Sequence, residues 1–492
     1  MSSTKQRMWA LGLMIGIGLL VACQQTEEQS RPKNVLLICI DDLRPELKSF
    51  GADYIKSPNI DQLAGMGRAF HRHYVNAPSC GPSRFAMLTG RYGLEYRLHS
   101  NQSLFSRAKS ISANPDSIPP SMPEWFRQNG YTTVSVGKVS HHPGGRGGDR
   151  WDSDSIPELP GAWDKHIMPS GDWKDPRGAM HGLANGKARS PEFRDVIEAF
   201  DGPDTSYPDG LIAEEGLRQL EELVESDQPF FLAVGLIKPH LPFGVPKKYL
   251  DLYEGVTIPE IKHPEKPEET TTWHGSGEFM RQYERWGKDP REDTVFALEL
   301  KKYYAACVSY ADKHVGDILN KLKETGADQN TIVVLWGDHG WHLGEHAIWG
   351  KHSLFEESLL SPLIIYDPGM KSQGQKSMAV VETVDMFPTL IDLTQLPKTG
   401  FTEGVSLVPQ MEDPNAPGHA AAGFRAKFTT LRTATHRFIQ HESGAVELYD
   451  HRTSEKETLN IADENPELVQ KLKQELQQKM GPLAFEWEPG ER

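Results

Sequence analysis

Five apolar runs of strand length, VLLICI (35–40), YTTVSV (131–136), FFLAVGLI (230–237), TIVVLW (331–336) and PLIIY (362–366), end in polar or charged residues and not in a hairpin turn. Runs this uniformly apolar suit strands buried on both faces of a sheet. Helical patterns lie between them. SPNIDQLAGMGRAF (57–70) offers Ser57 as an N-cap and Pro58 at the first helical position, and DGLIAEEGLRQLEELVES (209–226) carries apolar residues at helical spacing. A longer pattern runs from about Asp293 to Lys323, and another covers VETVDMFPTLIDLTQL (381–396). Strand and helix in alternation predict an α/β fold, with a large and mostly parallel sheet flanked by helices.

In open α/β sheets, ligands bind beyond the carboxyl ends of the strands, and four of the five runs deliver reactive side chains there. The first runs into Asp41-Asp42, the second into Lys138 and His141, the third into Lys238-Pro239-His240 and the fourth into Asp338-His339. Adjacent aspartates are costly to bring together unless a cation neutralises them, and a hard divalent ion with oxygen ligands is the usual solution. An isolated Asp-Asp can equally cap a helix; the second acidic strand end favours the metal. His342-Leu-Gly-Glu345-His346 matches the H-x-x-E-H zinc-protease pattern, which needs both histidines on one helical face. Gly340 and Gly344 weaken any such helix.

Charge limits the partners. With 53 Lys and Arg against 68 Asp and Glu, the net charge of −15 excludes a protein that grips nucleic acid through a broad basic face. An anionic substrate would need locally placed cations. Two long segments, about 143–209 and 256–292, lack periodicity and are rich in Pro, Gly, Trp and Asp. Segments of that kind in a compact domain tend to be functional, and these are expected to wall a substrate cleft. After about residue 400 come short β-like pieces, KFTTLRT and HRFIQHESGAVELYDH with a Ser443-Gly444 turn, then a helix at 465–480. These predict a smaller antiparallel sheet subdomain at 401–492, after a main domain at 34–400.

At the N-terminus, Lys5 and Arg7 precede MWALGLMIGIGLLVA (8–22), too short to span a bilayer stably but of signal-peptide form. Leu20-Val21-Ala22-Cys23 resembles the lipobox of bacterial lipoproteins, in which the cysteine is lipidated; an ordinary secretory signal is the alternative. Residues 1–22 are thus read as a lipoprotein signal peptide and 23–33 as a polar tether, with Gln24 resembling an outer-membrane sorting residue. The expected location is the cell envelope of a Gram-negative bacterium, anchored to the membrane through Cys23. That leaves Cys39, Cys80 and Cys307, too few for a paired disulfide framework. Cys39 and Cys307 sit in strand and helix patterns as small buried hydrophobes, whereas Cys80 stands in NAPSCGPSRFAMLTGR (76–91).

Cys80-Gly81-Pro82-Ser83-Arg84 followed by FAMLTGR resembles the type I sulfatase signature, in which the cysteine is oxidised after translation to Cα-formylglycine (3-oxoalanine). NVLLICIDDLRPELKSFG, GYTTVSVGKVSHHPG, PFFLAVGLIKPHLPF, GDHGWHLGEHAIWGKHS and ELYDHRTSEKETLNIA fall in the family's order. The likeness is greatest to the iduronate-2-sulfatase branch.

The resemblance implies an alkaline-phosphatase-like fold and hydrolysis of sulfate esters on sulfated polysaccharide or oligosaccharide of ulvan, carrageenan or glycosaminoglycan type. One hydroxyl of the aldehyde hydrate would attack sulfur; deprotonating the other would eject sulfate. It implies Ca²⁺, with Mg²⁺ the alternative, held by Asp41, Asp42, Asp338, His339 and modified Cys80. Arg84 would orient the hydrate, Lys138 and Lys351 would hold sulfate oxygens, His141 would act as base and His240 as donor to the leaving oxygen. Lys238 is expected beside them as a substrate contact. Lys138-Val-Ser-His141-His142-Pro departs from the branch pattern: spacing from the lysine selects His141, spacing to the proline selects His142.

A maturation enzyme recognising Pro82 and Arg84 is the implied partner. The rival readings are a phosphomonoester or phosphonate hydrolase of the same superfamily, and a non-enzymatic glycan-binding lipoprotein. Arg146, Arg150, His166, Lys174 and Arg177 are candidates for contacting neighbouring anionic groups.

Overall fold

The computed structural model describes residues 31–93, 100–105, 118–267, 275–453 and 456–481. The signal segment 1–22, Cys23 and most of the tether lie outside the described residues. Among those described, no helix is long and apolar enough to cross a membrane.

Eight strands form the main sheet: β1 (Asn34–Ile40), β2 (Arg68–Tyr74), β3 (Thr132–Gly137), β4 (Lys165–Ile167), β5 (Phe230–Leu236), β6 (Thr331–Gly337), β7 (Leu363–Tyr366) and β8 (Lys376–Glu382). Their spatial order is β8-β2-β7-β6-β1-β5-β3-β4. All run parallel except β7, which pairs antiparallel with β6 and β2. β1 lies at the centre, and its six residues from Val35 to Ile40 are completely buried. At about 1.5–3 kcal/mol per buried aliphatic side chain, this strand alone contributes on the order of 10 kcal/mol.

Strand periodicity divides the core into two layers. Leu36, Ile38 and Ile40 pack with the helices α1 (Pro58–Met66), α3 (Pro208–Val224) and α4 (Thr294–Glu324). Val35, Leu37 and Cys39 pack on the opposite face with Phe85, Met87 and Leu88 of α2 (Cys80–Thr89) and with α5 (Met386–Thr394). Cys307 is buried within α4, as expected, and burial pushes the Cys39 and Cys307 thiols up to about 12.

Two boundaries differ from the sequence expectation. The helix expected over 57–70 stops at Met66, and 68–74 is strand β2. Gly67 makes the switch possible, because a Cβ there would stand 2.6 Å from the Ile365 carbonyl oxygen of β7. The strand then satisfies its polar residues within the fold. Arg68 donates to the carbonyls of Gln375, Gln410 and Met411, and His73 meets Ser361 and Thr383 at 3.1 Å. Likewise Val381 and Glu382 belong to β8, so the helix expected from 381 begins at Met386.

The C-terminal segment forms the expected antiparallel sheet, β9 (Ala421–Arg425), β10 (Phe428–Arg432), β11 (His436–His441) and β12 (Val446–Asp450), followed by α6 (Pro466–Met480). The described residues from Pro32 to Gly481 cluster as one compact unit.

His73 yields a stability prediction. Burial lowers its pKa from 6.5 to about 4. The folded protein therefore binds fewer protons than the unfolded chain between those values, and stability present above pH 6.5 is lost as pH falls toward 4. The loss is about 3 kcal/mol at most. Denaturant unfolding at several pH values should show a shallower decline across this window for His73→Gln than for the native protein; identical slopes would remove His73 as the cause.

Candidate active site

Each strand end delivers its side chains by a local backbone device. After β1, the Asp41 N–H donates to the Leu236 carbonyl of β5 at 3.2 Å, and the Asp42 N–H donates to the Asp338 carboxylate at 2.9 Å. Asp42 adopts a left-handed φ of 58°, an uncommon conformation of the kind that concentrates at functional sites, and its carbonyl accepts from Tyr304 Oη at 2.8 Å. After β3, Gly137 turns the chain with φ 75°, and a Cβ there would stand 2.3 Å from the Gly235 carbonyl oxygen. That turn sets Lys138 at the sheet edge.

Cys80 opens α2, whose ten residues are all buried. Its entry is fixed by Asn101, whose side-chain oxygen accepts from Ser79 Oγ at 2.8 Å and from the Gly81 N–H at 3.2 Å. Gly81 is obligatory at this approach, since a Cβ would lie 2.3 Å from the Asn101 Cα.

The side chains converge on the sulfur. Cys80 Sγ lies 3.3 Å from His339 Nε2, 3.4 Å from Asp41 Oδ1, 3.2 Å from Lys351 Nζ and 3.8 Å from Lys138 Nζ. Lys138 donates to Asp41, and Lys351 donates to Asp42 at 2.8 Å. Arg84 ties the strand ends together: it bridges Asp338 at 2.9 Å and Asp41 at 3.4 Å and donates to the carbonyls of Lys138 and Val139. Burial and then the Asp41 carboxylate push the Cys80 thiol well above its ordinary value. A sulfur held as the neutral thiol is a poor nucleophile.

Burial also opposes the charge of Asp41, but Lys138, His240, Arg84 and Lys351 outweigh it and hold that carboxyl well below the usual range. Asp42 and Asp338 behave differently. Burial, reinforced by the neighbouring Asp41, keeps both above the usual range even with Lys351 and Arg84 beside them. The cluster is therefore short of positive charge, and its donors suit a metal ion. Asp41, Cys80, Asp338 and His339 each turn a ligand atom to within 4.8 Å of the others, all buried. Asp42 Oδ1 lies 3.4 Å from His339 Nε2. The His339 ring faces its Nδ1 to the Gly340 carbonyl at 2.9 Å, which leaves Nε2 for the cluster. Carboxylate oxygens and one imidazole fit a divalent cation.

Above this floor opens a cleft of about 930 Å³, lined at its base by Cys80, Lys138, His141, His240 and Lys351. His141 and His142 part company here. His141 lines the cleft, its Nδ1 has no hydrogen-bond partner among the described residues, and burial with Lys138 beside it lowers its pKa far below the ordinary value. His142 is turned away toward Glu158, with Nδ1 3.0 Å from the carboxylate and the backbone N–H donating to it at 3.0 Å. His240 directs Nδ1 to the Leu241 carbonyl at 2.7 Å, which leaves Nε2 4.0 Å from Asp42 and from Glu278.

Three sequence expectations are corrected. Lys238, expected to touch substrate, lies buried beneath the cleft, where its ammonium donates to the carbonyls of Pro242 at 2.6 Å and His240 at 3.2 Å. It braces the turn that carries His240. Arg146 and His166 are not part of the cleft lining; Arg146 instead donates to the Ser153 and Ser155 carbonyls. Arg150, Lys174 and Arg177 do line it. His181, Glu278, Arg281 and Arg425 line it as well and escaped the sequence reading. The first three sit in the two irregular segments, where no periodicity singles out a residue. The H-x-x-E-H segment is not an α-helix: His342 and Leu343 form a short strand, only Glu345–Ala347 make a 3₁₀ turn, Gly344 has φ 107°, and His342 is held by Ser353 at 2.7 Å.

Comparison with known proteins agrees with this arrangement. A profile of the sulfatase family matches residues 33–396, and one for the C-terminal part of N-sulphoglucosamine sulphohydrolase matches residues 344–483. Iduronate 2-sulfatase of Mus musculus is 34% identical over 399 residues, covering 74% of this chain and 69% of that protein. Among solved structures, a protein in complex with its substrate D-glucosamine-2-N,6-O-disulfate superposes with a TM-score of 0.70 at 22% identity, over 93% of this chain and 100% of that one. The phosphonate monoester hydrolase of Agrobacterium radiobacter does so with the same TM-score and identity, over 92% of this chain and 96% of that one. The fold is thus common to hydrolases of different esters, and it is the sequence that separates them: the chain belongs to the sulfatase family, as a type I sulfatase close to the iduronate 2-sulfatases and so a sulfuric ester hydrolase.

Proposed function

We infer that this enzyme removes sulfate from sugars of a sulfated polysaccharide or its fragments, of glycosaminoglycan, ulvan or carrageenan type, using formylglycine at position 80 and Ca²⁺. The observation that carries this reading is the position of Cys80 Sγ at the cleft floor, between the ammonium groups of Lys138 and Lys351 and against the acidic cluster. As a formylglycine hydrate, residue 80 would supply two hydroxyls, one to attack sulfur and one whose deprotonation releases sulfate. Ca²⁺ held by Asp41, Asp42, Asp338 and His339 would polarise the sulfate.

The chain's own groups do the rest. Lys138 and Lys351 converge at the cleft floor, where sulfate oxygens would gather charge, and preformed buried cations of this kind favour the transition state over the ground state. Arg84, saturated by carboxylates and carbonyls, holds the loops in register and contacts no open space. His141, kept neutral by burial and Lys138, can accept a proton from residue 80. His240 turns Nε2 to 4.0 Å from Asp42; because its Nδ1–H is donated to the Leu241 carbonyl, it would donate to the leaving oxygen of the sugar only as the imidazolium, protonated at Nε2. Burial and the Asp41 carboxylate favour the protonated thiol, a poor nucleophile, and a hydrate at this position would offer the two hydroxyls that a thiol lacks.

The test is sulfate release by protein whose tryptic peptide His73–Arg84 carries the mass of formylglycine in place of cysteine. Release should vanish in Cys80→Ala with the fold intact and persist in Cys307→Ala. It should also vanish on chelation and return with Ca²⁺ better than with Mg²⁺. Equal activity of the unmodified Cys80 protein would end the mechanism, and phosphate release without sulfate release would favour a phosphohydrolase.

The two histidines separate kinetically. His141→Asn should lower kcat by about 10²–10⁴-fold, whereas His142→Asn should chiefly lower the unfolding midpoint, because it strands buried Glu158. A larger kcat loss at position 142 would reverse the assignment.

We also infer export and anchoring at the envelope through lipidated Cys23, which the Leu-Val-Ala-Cys string supports. Labelled palmitate should enter the native protein and not Cys23→Ser; labelling of both would place the lipid elsewhere.

A further inference from the structure

The cleft walls carry more positive charge than removal of one sulfate requires. At the floor, Lys138 and Lys351 are already engaged by Asp41 and Asp42. Above it stand Arg150, Lys174, Arg177, Arg189, Arg281 and Arg425, against only Asp175 and Glu278 among the lining residues. In a chain of net charge −15 this local excess has the wrong sign for chance. Asp175 is paired with one of these cations, Arg150, at 2.8 Å and accepts from the Gly178 N–H at 2.7 Å, which leaves five wall cations against Glu278.

Lys174 is held in an unusual way. Its φ of 70° and ψ of −39°, with the Asp175 N–H donating to the Trp173 carbonyl at 2.8 Å, make it the centre of a γ-turn of the rare, strained hand. The residues on either side fix that turn. Trp173 is buried and donates through Nε1 to the Leu183 carbonyl at 3.0 Å, and Asp175 caps the next short helix. A lysine on an exposed turn gains nothing structural from such a backbone, and strain that neighbours over-determine is characteristic of ligand clamps. Its ammonium forms no ion pair or hydrogen bond with the described residues. The same holds for the guanidinium of Arg281, which the second irregular segment brings to the same cleft.

We propose that Lys174 and Arg281 bind a second anionic group on the sugar, a carboxylate or another sulfate, beside the ester that is cleaved. The inference rests on the sulfatase reading and specifies the class of sugar that this site accepts. The two cations make their strongest contacts with a ligand that brings its own negative charge. Because both side chains are exposed, their contribution is screened by salt, which buried floor cations resist.

Initial rates of sulfate release would be measured on three matched sugar sulfates: a neutral hexose sulfate, a uronate sulfate and a hexose disulfate. 4-Nitrophenyl sulfate serves as a reference. The native holoenzyme should prefer one anionic sugar over the neutral one by about 10–100-fold in kcat/KM, mainly through KM, and the preference should fall as salt rises from 20 to ~200 mM. In Lys174→Met with Arg281→Met, the loss should be at least tenfold larger on the preferred anionic sugar than on the neutral one. Which anionic sugar wins distinguishes carboxylate from sulfate recognition. Equal losses on all sugars, or no preference in the native enzyme, would overturn the proposal while leaving the sulfatase reading intact. Release from none of the four substrates would overturn the sulfatase reading itself, and the proposal with it.

Discussion

Three carboxylates, two ammonium groups and a guanidinium are buried together at one edge of the main sheet, and the rest of the molecule is arranged around keeping them there. Asp41, Asp42 and Asp338 are 1% exposed or less, as are Arg84 and Lys138. Taking such ions out of water costs several kcal/mol each, and their mutual attraction repays this only where geometry is fixed. β1 supplies the fixity. Its fully apolar run is clamped between β5 and β6, so Asp41 and Asp42 emerge where neighbouring strand ends can donate to them. The balance is still incomplete: Asp42 and Asp338 stay above the usual carboxylate range. That residual demand for positive charge is the physical reason to expect a cation in this site.

The C-terminal sheet takes part in the same task from the far side. Glu382, at the end of β8, accepts from Asn76 at 3.0 Å, from Tyr92 Oη at 2.8 Å and from the Ala422 N–H at 2.9 Å, and it pairs with Lys479 of α6 at 2.6 Å. Asn76 also donates to the Ala422 carbonyl at 2.8 Å, while its own carbonyl accepts from the Phe424 N–H at 2.9 Å. Asn76 stands four residues before Cys80. A second network joins Glu356 to Tyr74, Arg432 and Arg437, with Arg437 also bonded to Glu457. The loop that enters α2 is thus pinned by residues more than three hundred positions later, and β9 sends Arg425 into the cleft. The small sheet is part of the active site's scaffold.

What could be read from sequence divides along physical lines. The strands buried on both faces announce themselves by composition, and so β1, β3, β5, β6 and β7 were legible with the polar residues at their ends. β2 was not, because RAFHRHY interleaves its core residues Ala69, Phe70 and Tyr74 with polar ones, and its buried Arg68 and His73 are satisfied by hydrogen bonds. Lys238 shows the limit at single residues: a strand-end lysine can face the ligand or its own turn, and the Pro242 carbonyl decided for the turn. His141 and His142 were ambiguous because Glu158, which claims His142, lies sixteen residues away in an aperiodic segment. The cleft walls stayed illegible for the same reason, apart from Arg150, Lys174 and Arg177, which charge alone had suggested.

This division separates two kinds of constraint in one enzyme. The floor must hold buried charges at fixed separations, so it is built on strand ends and on α2, where displacement would break several hydrogen bonds at once. The walls need only present charge to solvent, and irregular segments suffice. Their cations work against the net charge of −15 of the whole chain, which opposes an approaching polyanion. An anionic sugar is therefore favoured where wall and floor cations act together. Selection among substrates then begins before contact with Cys80, through the charge pattern of segments whose backbone the chemistry does not restrict.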